Sequence, residues 1–204
     1  LGGGLSSLWI ARTLGRRYID VHIVVDGNIP YTYNEVIFSK YCNRSFKVPG
    51  MRYNRQILKN VLRTTARSLS RRVVVYPTSD LDALHLSELK DDMPDDYYFV
   101  VGDKEPVEIL VNKRKFYRAL DRNGIDHPVT YFPEGSEDVR RIGAKITYPA
   151  FIRPSITQLF NQIFGTDKKG FIAYTLRELT DYYQLVTRYG IEVMFQEIIP
   201  GPPS

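Results

Sequence analysis

A glycine turn that opens straight into a helix constrains the fold of this chain more than any other feature. Gly2-Gly3-Gly4 is followed by Leu5, Leu8, Trp9, Ile10 and Leu14, an apolar stripe at helical spacing that stops at Gly15. The run from Val21 to Asp26 then reads as a buried strand, with Asp26-Gly27-Asn28 as its turn. Glycine turn, helix and buried strand in that order begin a parallel sheet, because parallel neighbours need a crossover connection. Ile57, Leu58, Val61 and Leu62 mark a second helix, and Val73 to Tyr76 a further strand. A helix over Leu81 to Leu89 and a short strand from Tyr98 to Val101 follow. Residues 1–105 are therefore expected to form a small, doubly wound, Rossmann-like α/β domain.

Beyond that point the pattern changes. Asn112 can cap a helix that runs to Leu120 and ends at Gly124. Ser136-Glu137-Asp138 makes a capped, acidic start for a short helix carrying Val139 and Ile142. The segment from Ile146 to Arg153 reads as a strand, and Pro154 to Asp167 as a long, weakly patterned stretch. Thr175-Leu176-Arg177-Glu178 is a capping box, opening a helix with Leu176, Leu179, Tyr183 and Val186 on one side until Gly190. Ile191 to Ile199 closes as a strand. Residues 106–204 are thus expected to be an α+β domain, a mixed sheet with helices on one face.

Composition excludes some classes. No apolar run approaches the roughly 20 residues of a membrane span, and no signal-peptide pattern is present. Cys42 has no second cysteine to pair with, which fits an inert thiol in the reducing cytoplasm. The net charge of +5 is scattered in short pairs such as Arg16-Arg17, Arg71-Arg72 and Arg140-Arg141 that build no long basic block, and charge by itself does not decide for or against nucleic-acid binding. A small anionic ligand explains the charge as well. His22, His85 and His127 do not cluster with carboxylates or Cys42 at metal-ligand spacing. The opening on Leu1 and the close on Gly201-Pro202-Pro203-Ser204 are those expected of a piece of a longer protein.

Two sets of residues could carry chemistry. The first is the glycine turn: Gly2-Gly3-Gly4-Leu5-Ser6-Ser7 matches a dinucleotide-binding turn except for its last place, and Asp26 ends the next strand. Gly3, Gly4 and Asp26 are candidate substrate contacts, with tight packing of the turn as the plainer account. A nicotinamide-dependent oxidoreductase would need a second glycine-rich contact and a hydride-transfer site, and neither appears. The second set is spread over the back half. Lys113 opens a helix; Arg153 ends an apolar strand, where alternation puts it on one face with Phe151 and opposite Ala150 and Ile152. A cation in that position needs an anion. Gln196 and Glu197 interrupt the last β-branched run before Pro200-Gly201.

Taken in order, Lys113, Gly124-Ile125-Asp126-His127-Pro128-Val129-Thr130, Tyr148-Pro149-Ala150-Phe151-Ile152-Arg153-Pro154, Glu178-Leu179 and Phe195-Gln196-Glu197-Ile198-Ile199-Pro200-Gly201 resemble the first half of the ATP-grasp domain. Biotin carboxylase, carbamoyl-phosphate synthetase and D-alanine–D-alanine ligase share that domain. Ser39-Lys40-Tyr41 with Pro49 draws the resemblance toward carboxylate–amine ligases similar to D-aspartate ligase. The resemblance implies a Rossmann-like pre-ATP-grasp domain followed by the α+β first half of an ATP-grasp domain. It implies ATP and Mg²⁺ as cofactors, a small carboxylate and an amine as substrates, and no nucleic-acid or membrane partner; a homodimer is compatible with it. Lys113 and Arg153 would contact the phosphates, Gln196 the adenine amino edge, and the backbones of Glu197 and Ile199 the rest of the base. Catalytic residues and metal ligands would lie beyond Ser204, so this stretch alone is not expected to turn over. Two departures stand out. Arg153 replaces the usual lysine, and the stretch 155–170 lacks a glycine-rich phosphate loop, leaving Ser155 and Thr157 as hydroxyl donors. These departures also fit a degenerate, non-catalytic nucleotide-binding module.

Overall fold

The computed structural model describes residues 1–30, 34–69, 72–93, 95, 97–165 and 168–201. Arg71, Asp167, Pro202, Pro203 and Ser204 lie outside the described residues. The chain divides into two compact units, Leu1–Val107 and Glu108–Ser204.

In the first unit, helix α1 (Gly4–Gly15) leads to strand β1 (His22–Val25), which pairs in parallel with β2 (Arg44–Lys47). Helix α2 (Arg55–Leu69) leads to β3 (Val73–Val75), and α3 (Asp80–Leu89) to β4 (Tyr97–Phe99), with β3 and β4 also parallel. Residues at the turn join the two pairs: Gly2 N donates to Val24 O at 2.8 Å, and the Leu1 amino group donates to Tyr76 O at 2.7 Å. Alternation along β1 feeds both faces. Ile23 and Val25 pack with Ala11 of α1 in one cluster, while Val24 packs with Leu58 and Leu62 of α2 and with Leu86 and Leu89 of α3 in another. This is the doubly wound α/β arrangement. β2 is largely exposed and mostly polar, which is why no hydrophobic period marks it in the sequence. Helix α4 (Lys104–Val111) follows β4.

In the second unit, α5 (Lys113–Arg122) is held at both ends by local chemistry. Asn112 accepts from Lys115 N at its start. At its end Gly124, in the left-handed region at φ 63°, lets Ile125 N reach Leu120 O and its own N–H reach Asp121 O. The sheet has the order β5 (Thr130–Tyr131), β8 (Val193–Glu197), β6 (Ala150–Pro154), β7 (Phe171–Ala173), and every described pair is antiparallel. That corrects the expected mixed sheet. β7 and β8 do run the same way, joined through α8 (Leu176–Thr187), but β6 lies between them and makes each ladder antiparallel. The capping box forms at the start of α8: Thr175 accepts from Glu178 N, and the Glu178 carboxylate reaches back to Tyr174 N. Helix α6 (Ser136–Gly143) is instead capped from within, by Asp138 accepting from Glu134 N; Ser136 makes no cap. The core gathers Val139 and Ile142 of α6, Leu179 and Val186 of α8, and Ala150, Ile152, Ala173, Val193 and Phe195 of the sheet.

The largest departure from the sequence reading is in the stretch expected to be weakly patterned. Thr157–Phe164 is a helix, α7. Phe160 is fully buried, and its ring packs on Phe164 and Phe171 at centroid distances of 4.6 and 5.5 Å. Phe171 in turn stacks on Tyr182. Spacing of i and i+4 between Phe160 and Phe164 is enough to hold a short helix once a sheet offers them an apolar floor.

Candidate functional site

Register puts two of the expected residues, Arg153 and Gln196, on one face of the second unit's sheet. Phe151 lies opposite Gln196, Arg153 opposite Met194, and Thr130 opposite Gln196 on its other side. Because side chains alternate, Thr130, Gln196, Met194, Phe151 and Arg153 share the face turned away from the core cluster. Ala150, Ile152 and Phe195 fill the other face.

On this face Arg153 is held by two neutral oxygens. Its Nη1 donates to Tyr117 Oη at 3.2 Å and to Gln196 Oε1 at 3.1 Å. Gln196 is only 5% exposed, and its amide nitrogen donates to Thr130 Oγ1 at 2.9 Å. Both ends of the Gln196 amide are therefore engaged inside the sheet. Among the described residues no carboxylate pairs with Arg153, so a half-buried cation is oriented without being neutralised. Burial of an uncompensated charge is costly, and an anionic ligand offsets that cost.

Lys113 opens α5, where its backbone N–H donates to Ser155 O at 2.8 Å and its Nζ to Thr157 Oγ1 at 2.9 Å. This ties the start of α5 to the segment just after β6. Ser155 is buried, and its hydroxyl has no partner among the described residues. Glu197 fastens the other end of the sheet: its carboxylate accepts from Val129 N at 2.8 Å and its N–H donates to Val129 O at 3.0 Å. Past it, Ile198 and Ile199 are exposed apolar residues. The sheet unit thus brings Arg153 and Gln196 into contact and ties Lys113 to the segment after β6, while Glu197 ends β8 and Ile199 lies two residues beyond it.

Sequence reasoning missed Tyr117 and Thr130. Tyr117 lies one turn after Lys113 on the same side of α5, a spacing that could have marked it. Thr130 belongs to a two-residue strand too short to show a period.

In the first unit, Gly3 caps α1 without a side-chain bond and Gly4 adopts φ 79°. Close packing explains the turn: a Cβ on Gly2 would lie 2.5 Å from Thr78 Oγ1 and 2.7 Å from Asp82 Oδ2. Asp26 is 4% exposed, and its carboxylate accepts from Asn28 N, Gly50 N and Arg52 N at 2.8 to 3.1 Å. It fastens a loop. Asp26→Ala would leave these partly buried donors unpaired, and should destabilise the unit by about 1–3 kcal/mol. Chemical denaturation measures this; an unchanged midpoint would return Asp26 to the list of ligand contacts.

No family model and no curated protein matches the sequence. Solved structures do match. An L-amino acid ligase from Bacillus licheniformis aligns over 98% of this chain at 17% identity, with a TM-score of 0.66, and the alignment covers 44% of that ligase. A carboxyaminoimidazole ribonucleotide synthase from Aspergillus clavatus, complexed with ATP, aligns over 98% at 14% identity and a TM-score of 0.66, covering 46% of its length. A biotin carboxylase from Campylobacter jejuni in complex with β,γ-ATP aligns over 96% at 13% identity and a TM-score of 0.65, covering 43%. The chain therefore spans less than half the length of each. The chain has the α/β fold of the matched part of these enzymes.

Proposed function

We propose that the Glu108–Ser204 unit seats ATP on the face that carries Arg153, as part of a ligase that joins a carboxylate to an amine. Arg153 carries this reading: a cation aimed by Tyr117 and Gln196 yet paired with no carboxylate among the described residues. The phosphates meet Arg153 and Lys113. The base lies toward the end of β8, against the backbones of Glu197 and Ile199. Gln196 acts on the nucleotide through Arg153, since its own amide is engaged at both ends. The γ-phosphoryl group passes to a carboxylate oxygen and ADP departs; the amine nitrogen then attacks the acyl carbon and phosphate leaves. Charge neutralisation by fixed cations is the chain's share of that work. Among the described residues no three His, Cys, Asp or Glu side chains come together to hold a metal ion. The small carboxylate is read as meeting the first unit near Gly3 and Gly4, and division of the chain into a Rossmann-like domain and an ATP-grasp half belongs to the same reading.

Lys113→Ala should weaken ATP binding about tenfold or more, with adenosine binding unchanged, because a charge-assisted contact contributes about 1.5–3 kcal/mol. Titration calorimetry with both ligands checks this. Equal ATP affinity in wild type and variant, or none in either, overturns the reading. Helix α7 favours a second reading, a nucleotide-binding module without transfer, since it occupies the stretch where the resemblance implies a flexible phosphate loop.

A further inference from the structure

His127 lies in the loop between α5 and β5, and both its ring nitrogens face acceptors. Nδ1 is 2.8 Å from the Pro128 carbonyl oxygen, and Nε2 is 2.8 Å from Asp121 Oδ1. A neutral imidazole has one N–H, so it satisfies one contact and turns a lone pair on the other. The imidazolium donates to both. The ring meets Tyr117 edge-on, with 5.3 Å between centroids, and the Tyr117 hydroxyl is the acceptor for Arg153 Nη1. Contacts thus run unbroken from Asp121 through His127, Tyr117 and Arg153 to Gln196 and Thr130.

We propose that His127 is a positioning residue: as the imidazolium it clamps Tyr117, and through Tyr117 it fixes the Arg153 guanidinium in the orientation that receives an anion. The identity of that anion rests on the nucleotide reading; the coupling between His127 and Arg153 does not. Loss of the proton replaces a hydrogen bond with a repulsive contact and frees the ring to turn away from Tyr117. Phenylalanine at this position would fill the volume but could not make the clamp.

Surroundings agree with that charge state. The charged groups facing the ring are Asp121 from α5 and Asp126 from its own loop, with the Tyr117 phenol beside it. On the neighbouring strand, Glu197 directs its carboxylate to Val129 N. The bond to the Pro128 carbonyl does most to raise the pKa of His127 above its ordinary 6.5; partial burial opposes it, and Asp121 and Asp126 add to the rise. With the folded value raised, the contribution is whole below the unfolded value and is lost as pH rises through the folded one.

The test is a pH titration of the labelled chain by NMR, following His127, Tyr117 and the Arg153 guanidinium, with ATP affinity measured at each pH. The His127 midpoint should lie above 6.5, and the Tyr117 and Arg153 signals should share it. ATP affinity should fall about tenfold across that midpoint, a typical coupling between linked sites. His127→Gln should flatten the affinity profile. A ring already neutral at about pH 6, or Tyr117 and Arg153 signals that ignore its titration, overturns the proposal without any variant having to fold. Shared midpoints with no ATP binding at any pH sink the nucleotide reading and leave the positioning role standing. Shared midpoints with ATP binding that is flat in pH sink the role at the anion seat.

Discussion

Replacing Arg153 with methionine should weaken ATP binding by about 10- to 150-fold, the equivalent of the roughly 1.5–3 kcal/mol that a hydrogen bond to a charged group contributes. Methionine keeps much of the stem's apolar contact with the sheet, so the loss reports the guanidinium. Adenosine, which has no phosphates, should bind wild type and variant alike. Arg153→Lys should recover only part of the affinity, because Nη1 alone holds Tyr117 and Gln196, and an ammonium supplies the charge without the guanidinium's remaining N–H groups to meet a phosphate. Should the methionine variant bind ATP as tightly as wild type, Arg153 serves the sheet and not a phosphate, and the nucleotide seat must be sought elsewhere.

The second large effect is on stability. Phe160→Ala should cost about 3–5 kcal/mol, a large share of the roughly 5–15 kcal/mol that holds a typical domain. Phe160 is fully buried among Phe164, Phe171 and the rest of the core. Leu159 and Ile163 lie on the exposed side of the same helix, so Leu159→Ala and Ile163→Ala should each cost well under about 1 kcal/mol. Urea denaturation of the three variants separates the outcomes. A flexible phosphate-covering loop would lose little at any of these positions, so equal, small effects would argue against α7 as a fixed element.

Much of this architecture is legible in the residues themselves because its signals are local. Asn112, Gly124 and Thr175 terminate or open helices through bonds to backbone a few positions away, and the β6 alternation of Ala150 and Ile152 against Phe151 and Arg153 needs only period two. What stayed hidden depends on partners distant in the chain. α7 exists because β7 supplies Phe171, itself stacked on Tyr182 of α8, to its phenylalanines. β5 exists because Gln196 and Phe195 pair with it. Asp26 stands where a ribose-binding acid would, but Gly50 and Arg52, more than twenty positions on, turn its carboxylate inward. The candidate site follows the same rule: Lys113, Arg153 and Gln196 announce themselves by type and order, whereas Tyr117 and Thr130 become visible only through the bonds they make.

The two faces of β6 tie the accuracy of the site to the survival of the unit. A one-residue slip of β6 against β8 would not merely displace Arg153; it would also drive Ala150 and Ile152 onto the face that now carries Arg153 and the guanidinium into the core. No misregistered version of this strand can persist as a folded protein with a poor site. A single-residue insertion within Ala150–Pro154 should therefore be detected as insolubility or degradation before it is ever detected as weak binding. The packing of Ile152 proofreads the placement of Arg153.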